Sequence, residues 1–113
     1  MVDDDPEFRK LAARLLAVSG LAVVGESDSV SAALSDARRL KPSAFLVDVD
    51  LPDGDGVTLA GELTALPWGP RVVLTSVDGE RTTDLDARRV GARAFVAKVD
   101  LPNAPLAQLL GDG

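Results

Sequence analysis

Apolar residues recur at helical spacing at Phe8, Leu11, Ala12, Leu15 and Leu16, and Gly20 closes the run. The stretch Asp3, Asp4, Asp5, Pro6, Glu7 reads as the entry to that helix, with an Asp cap, proline in the first turn and an acid at the positive end of the dipole. Leu21 to Gly25 reads as a short strand. Ser29 to Leu40 returns to helical spacing through Val30, Ala33, Leu34 and Ala37, and Lys41, Pro42 and Ser43 end it. Ala44 to Val47 is unbroken apolar sequence, the signature of a strand covered on both faces of a parallel sheet, and Asp48 closes it. Loop chemistry follows from Leu51 to Gly56, a helix from Val57 to Leu66, and a break over Pro67, Trp68, Gly69 and Pro70. Arg71 to Leu74 repeats the strand signature. Arg81 to Val90 predicts a helix stopped by Gly91, Ala94 to Ala97 a strand, and Pro105 to Leu110 a last short helix.

Strands alternating with helices imply parallel strands joined by right-handed crossovers, hence a three-layer α/β domain. The length suits one domain over residues 1–113 and leaves no room for a second core. No output domain is expected, because Leu101 to Gly113 holds only the last helix and a Gly-Asp-Gly tail. In open sheets of this kind ligands sit beyond the strand C-termini. Asp3, Asp4, Asp48, Thr75 and Lys98 all lie at or just past such ends, so the fold should gather them at one edge.

Composition narrows the chemistry. Hydrophobic residues make up 46% against 27% charged, an ordinary globular balance, and the apolar runs are far too short to span a membrane. No signal peptide opens the chain, so the expectation is a cytoplasmic protein without membrane association. A net charge of −6 disfavours direct nucleic-acid binding; Arg38, Arg39 and Lys41 suit the C-terminus of a helix. Cysteine and histidine are both absent, which removes disulfides, thiol chemistry and the commonest general base and phosphoryl carrier. Chemistry must rest on carboxylates, hydroxyls and amines.

Gathered carboxylates repel, and binding a hard cation or taking up a proton relieves them. Mg²⁺ fits, since it accepts a few carboxylates, several waters and a phosphate oxygen. Asp48 would then act as nucleophile toward phosphorus, with the Lys98 ammonium and the Thr75 hydroxyl on the transferring oxygens. Taken singly, the same residues also read as caps, turn formers and exposed side chains. Asp53 and Asp55 are assigned to turn and cap, and Gly54 and Gly56 to backbone punctuation.

Four motifs in order resemble the receiver domains of two-component response regulators. Val2 to Pro6 looks like the family's acidic pair, Phe45 to Gly56 like its phosphoacceptor strand and loop, Val72 to Ser76 like its fourth strand, and Gly91 to Lys98 like its fifth. The resemblance implies a flavodoxin-like (βα)5 doubly wound parallel sheet in the order 2-1-3-4-5, with the first strand reduced here to Met1 and Val2. It implies Asp48 as phosphoacceptor and Mg²⁺ held by Asp4 directly, Asp3 through water, Asp48, and Asp50 through its backbone carbonyl. Thr75 and Lys98 would bind the phosphoryl group, and Thr75 with Phe95 would form the switch. The partners implied are a histidine kinase or phosphotransfer protein, and a downstream protein at the face of the fourth helix, fifth strand and fifth helix, with a homodimer also open. Val99 stands where the family commonly has proline. Asp50 adds a charge where water would attack an acyl phosphate.

Two other readings compete. A degenerate receiver would serve as an interaction module without phosphorylation. A haloacid-dehalogenase-like phosphatase would use Asp48 and Asp50 as nucleophile and acid/base, but its acidic pair does not precede the nucleophile, and Pro52 replaces the expected Thr or Val. An EF-hand is excluded because Pro52 falls at a ligand position.

Overall fold

A computed structural model describes residues 1–77 and 84–111. Helix α1 (Pro6–Val18) starts as the sequence implies, with the Asp5 carboxylate accepting from the Glu7 N–H. Helix α2 (Val30–Leu40) is capped twice. Ser29 Oγ accepts from Ala32 N–H at 3.1 Å, and Asp53 accepts from Val30 and Ser31 N–H at 2.7 and 3.1 Å. Asp53 is therefore a cap delivered from a distant loop, while Asp55 caps α3 (Gly56–Thr64) locally.

Strands β1 (Ala44–Asp48), β4 (Arg71–Ser76) and β5 (Ala94–Ala97) form a parallel sheet in the order β1-β4-β5. Their alternation splits the core in two. Phe45, Val47, Val72 and Leu74 face α2, α3 and α4 (Asp84–Arg89), while Leu46 and Val73 face α1 and α5 (Leu106–Leu110). That is the expected three-layer α/β arrangement. The N-terminal part of the helix expected over Arg81 to Val90 lies outside the described residues.

Two local expectations are corrected. Leu21 to Gly25 is not a strand: the segment has no regular structure, Val24 is 61% exposed, and only Ser27 forms a parallel bridge, to Val2. Strand-favouring residues become a strand only where a neighbouring backbone supplies ladder partners. Here the neighbour supplies Ser27 N–H to Met1 O and Asp3 N–H to Ser27 O, both at 2.9 Å, and the Met1 ammonium to Gly25 O at 3.3 Å. A cavity of about 530 Å³ between Val23, Leu40, Phe45 and Leu110 follows the line where that pairing stops. The positions expected for the first two strands are thus held by single bridges, Val2 to Val47 and Val2 to Ser27, beside the three-strand ladder.

The second correction is in the acidic loop, where β2 (Asp50–Leu51) and β3 (Gly54–Asp55) pair as a small antiparallel hairpin. After β5, Lys98–Asn103 winds into a 3₁₀ turn with Leu101 buried against the α1/α5 side of the core.

Candidate functional site

Parallel register assembles the site. Val2 bridges Val47, which sets Asp3 beside Asp48; Asp48 pairs with Thr75; and Ser76 pairs with Ala97, which leaves Lys98 one step beyond. Four residues far apart in sequence, Asp3, Asp48, Thr75 and Lys98, therefore end in one row. Val2 is held at both ends of its bridge, donating to Leu46 O at 2.8 Å and accepting from Asp48 N–H at 2.9 Å.

One carboxylate oxygen from each of Asp3, Asp4 and Asp48 lies within 4.8 Å of the others. Asp3 and Asp48 are buried and Asp4 is exposed, so the cluster opens to solvent on one side. Lys98 Nζ lies 2.8 Å from Asp3 Oδ2 and 3.5 Å from Asp48 Oδ2. The remaining oxygens meet the backbone, Asp3 Oδ1 accepting from Asp5 N–H at 2.9 Å and Asp48 Oδ1 from Asp50 N–H at 3.2 Å. Thr75 Oγ1 is fully buried and has no hydrogen-bond partner among the described residues.

These contacts raise both titrations, which disfavours the charged form of Asp48 and favours that of Lys98. Burial, and then the negative charge of Asp3, push the Asp48 carboxyl up to about 6, against the opposing pull of the Asp50 N–H and of Lys98. Burial lowers Lys98, but its contacts with Asp3 and Asp48 outweigh that and leave it above its ordinary value.

The donor set suits a hard divalent cation: three carboxylates, two of them buried, with one open side for water. The orphaned Thr75 hydroxyl at the same end of the sheet suits an acceptor-rich group such as a phosphoryl oxygen.

Asp3, Asp4, Asp48, Asp50, Thr75 and Lys98 lie at this end of the sheet, whereas Phe95 lies further back on β5, opposite Leu74, while Thr75 pairs with Val96. Phe95 is half-buried, and its N–H donates to Asp84 Oδ1 at 3.2 Å. Three contributors were not legible as such. Arg9 Nη1 donates to the Asp3 carbonyl at 2.6 Å while its Nε pairs with Glu26 at 3.0 Å. The Phe8 ring lies under Lys98, 4.0 Å from Nζ to centroid. Gly56 is tighter than punctuation, since a Cβ there would meet Asp48 O at 2.0 Å and its N–H donates to Val49 O at 2.7 Å. A signal for Gly56 existed in its fixed distance from Asp48; the Arg9 and Phe8 contacts had none beyond helical spacing.

The profile described as the response regulator receiver domain matches residues 1–106. The chain belongs to the response regulator receiver domain family. It is similar to the probable transcriptional regulatory protein NarL of Mycobacterium tuberculosis, with 37% identity over 79 residues, 69% of this chain and 37% of that one. The solved receiver domain of NarL superimposes with a TM-score of 0.79 at 32% identity, covering 96% of this chain and 91% of that one. The BeF3-activated N-terminal receiver domain of Klebsiella pneumoniae RstA gives 0.80 at 31%, with the same coverage. A Burkholderia pseudomallei response regulator solved with a phosphorylated aspartic acid, calcium ion and citrate gives 0.81 at 28%, over 96% of this chain and 63% of that one.

This receiver domain spans 22%, 36% and 37% of three longer curated relatives, a protein-glutamate methylesterase, a putative transcriptional regulator and the NarL protein. Its relation to the methylesterase is confined to 86 residues of that longer enzyme. The family is one of signalling domains and not of turnover enzymes, and its flavodoxin-like fold matches the parallel α/β architecture seen here. Among the described residues no helix is long and apolar enough to cross a membrane.

Proposed function

We propose that this receiver domain takes a phosphoryl group onto Asp48 from a phosphohistidine of a kinase or phosphotransfer domain, these 113 residues containing no histidine. The observation that carries the reading is the juxtaposition at one sheet edge of buried Asp48, the Asp3 and Asp4 carboxylates, Lys98 and the partnerless Thr75 hydroxyl. Asp3, Asp4, Asp48 and the backbone carbonyl of Asp50 would hold Mg²⁺, which supplies charge neutralisation on the phosphoryl oxygens. An Asp48 carboxylate oxygen attacks phosphorus, the P–N bond to the donor imidazole breaks, and the bonding pair leaves with the imidazole. Lys98 answers the charge on one oxygen and Thr75 donates to another.

Ionised Asp48 is the attacking form; burial and Asp3 push its carboxyl up to about 6 in the metal-free site, and a cation held beside it would favour ionisation. The new group draws on Thr75, and the half-buried Phe95, one step back on the neighbouring strand, relays the change to the surface of α4, β5 and α5, where a downstream protein or a second copy binds. Incubation with acetyl phosphate and Mg²⁺ followed by intact-mass measurement tests this. The expected result is a gain of one phosphoryl group that is lost in Asp48→Ala. A gain that survives that substitution would move the acceptor elsewhere, and no gain on the wild type would overturn the reading.

A further inference from the structure

Lys98 has to deliver its ammonium to a phosphoryl oxygen, yet its position is weakly determined by its own chain. It begins a 3₁₀ turn, the next residue Val99 is 82% exposed, and its long stem carries much rotamer freedom. Its two ionic partners, Asp3 and Asp48, are also the carboxylates a cation would claim. A metal drawing on Asp3 weakens the 2.8 Å pair, the shortest contact Lys98 makes.

The Phe8 ring is a contact of another kind. It lies 4.0 Å from Nζ, is only 9% exposed, and is fixed by α1, whose inward face Phe8, Ala12 and Leu16 packs on Leu46, Val73 and Leu101. The Asp5 cap and the Arg9 bond to the Asp3 carbonyl tie the start of that helix to the acidic segment. An aromatic face attracts an ammonium through its quadrupole and offers neither a carboxylate for a metal nor an acceptor that ties the N–H groups down. Those N–H groups stay free to turn toward incoming oxygens.

We propose that Phe8 is a positioning residue that holds the Lys98 ammonium at the phosphoryl-binding place when the carboxylates are engaged elsewhere. The proposal rests on Asp48 being the acceptor, and goes beyond it by giving the α1 aromatic a role in the transfer.

The test compares the full chain with Phe8→Met and Phe8→Leu, which keep an apolar side chain without a ring, and Phe8→Trp, which keeps one. The readouts are the NMR shifts of the Lys98 ε-methylene, the Mg²⁺ affinity by NMR titration, and the rate of phosphoryl uptake from acetyl phosphate at saturating Mg²⁺. In the wild type the methylene protons are displaced upfield by the ring. The ringless variants lose that displacement, keep Mg²⁺ affinity within about twofold, and take up phosphoryl about 3- to 10-fold more slowly, the range a partly desolvated cation–π contact spans. Phe8→Trp restores both shift and rate.

Uptake at the wild-type rate in a ringless variant, a Trp variant as slow as the ringless ones, or an undisplaced methylene in the wild type overturns the role of Phe8. The last measurement needs no variant to fold. A wild type that takes up no phosphoryl at all overturns the acceptor reading itself, which is a different result from equal rates in wild type and variant.

Discussion

Replacing Asp48 by Asn should make the metal-free protein more stable, although it removes the proposed phosphoryl acceptor. In the folded chain the Asp48 carboxyl is pushed up to about 6 by burial and by Asp3, against an ordinary value of about 3.9. A folded-state value raised above the unfolded one means the native state favours the protonated form. The advantage is fully present below about pH 4 and is lost as pH climbs through about 6. Two units at 1.36 kcal/mol each would destabilise the ionised form by about 3 kcal/mol. Asp3 and Lys98 share that interaction, and the open side at Asp4 admits screening solvent, which brings the expected gain for Asn to about 1–2 kcal/mol. Asn keeps the oxygen that accepts from Asp50 N–H, so the local turn survives. Urea unfolding in EDTA, repeated from pH 4 to 8, measures it. The Asn and wild-type curves should coincide near pH 4 and separate through pH 4–6.5. Above pH 7 the gap should be constant, worth about 5–8 °C in Tm. A variant no more stable than wild type at pH 7.5, or a gap independent of pH, would refute the electrostatic account of the site.

Mg²⁺ at ten times its dissociation constant should stabilise the wild type by about 1.4 kcal/mol, read as a Tm shift that Asp4→Asn, an exposed substitution, abolishes; an undiminished shift would remove Asp4 from the metal site. Thr75→Val replaces a buried hydroxyl without a partner by a methyl of the same shape, so stability of the unphosphorylated protein should rise by about 1 kcal/mol while phosphoryl uptake slows. Uptake at the wild-type rate would deny Thr75 its role. Gly56→Ala drives a Cβ to 2.0 Å from Asp48 O and should destabilise by about 3 kcal/mol or more, seen as a lowered urea midpoint; a loss under about 1 kcal/mol would mean that the hairpin after β1 gives way easily.

The periodicities from Phe8 to Leu16, Val30 to Ala37 and Val57 to Leu63 settled the helices, because a buried stripe leaves its record along one chain whatever lies opposite. The unbroken apolar runs ending at Asp48, Thr75 and Ala97 settled the parallel strands for the same reason, and with the strand-end rule they placed Asp48, Thr75 and Lys98 at one edge. Pairing leaves no such record. Leu21 to Gly25 has strand chemistry, yet the bonds to the neighbouring segment fall at Gly25 O, from Met1, and at Ser27, with Met1 and Asp3, and it stays irregular. The register of Val2 on Val47 sets Asp3 against Lys98, and the long reach of Asp53 to the start of α2 turns a loop acid into a cap. The ring of Phe8 under Lys98 and the close pass of Gly56 over the Asp48 carbonyl depend on how helix and hairpin lie against the sheet. What the chain determined by itself is which groups reach the end of the sheet. The tertiary structure decided the distances between them, because a distance across elements is a property of packing and not of either segment alone.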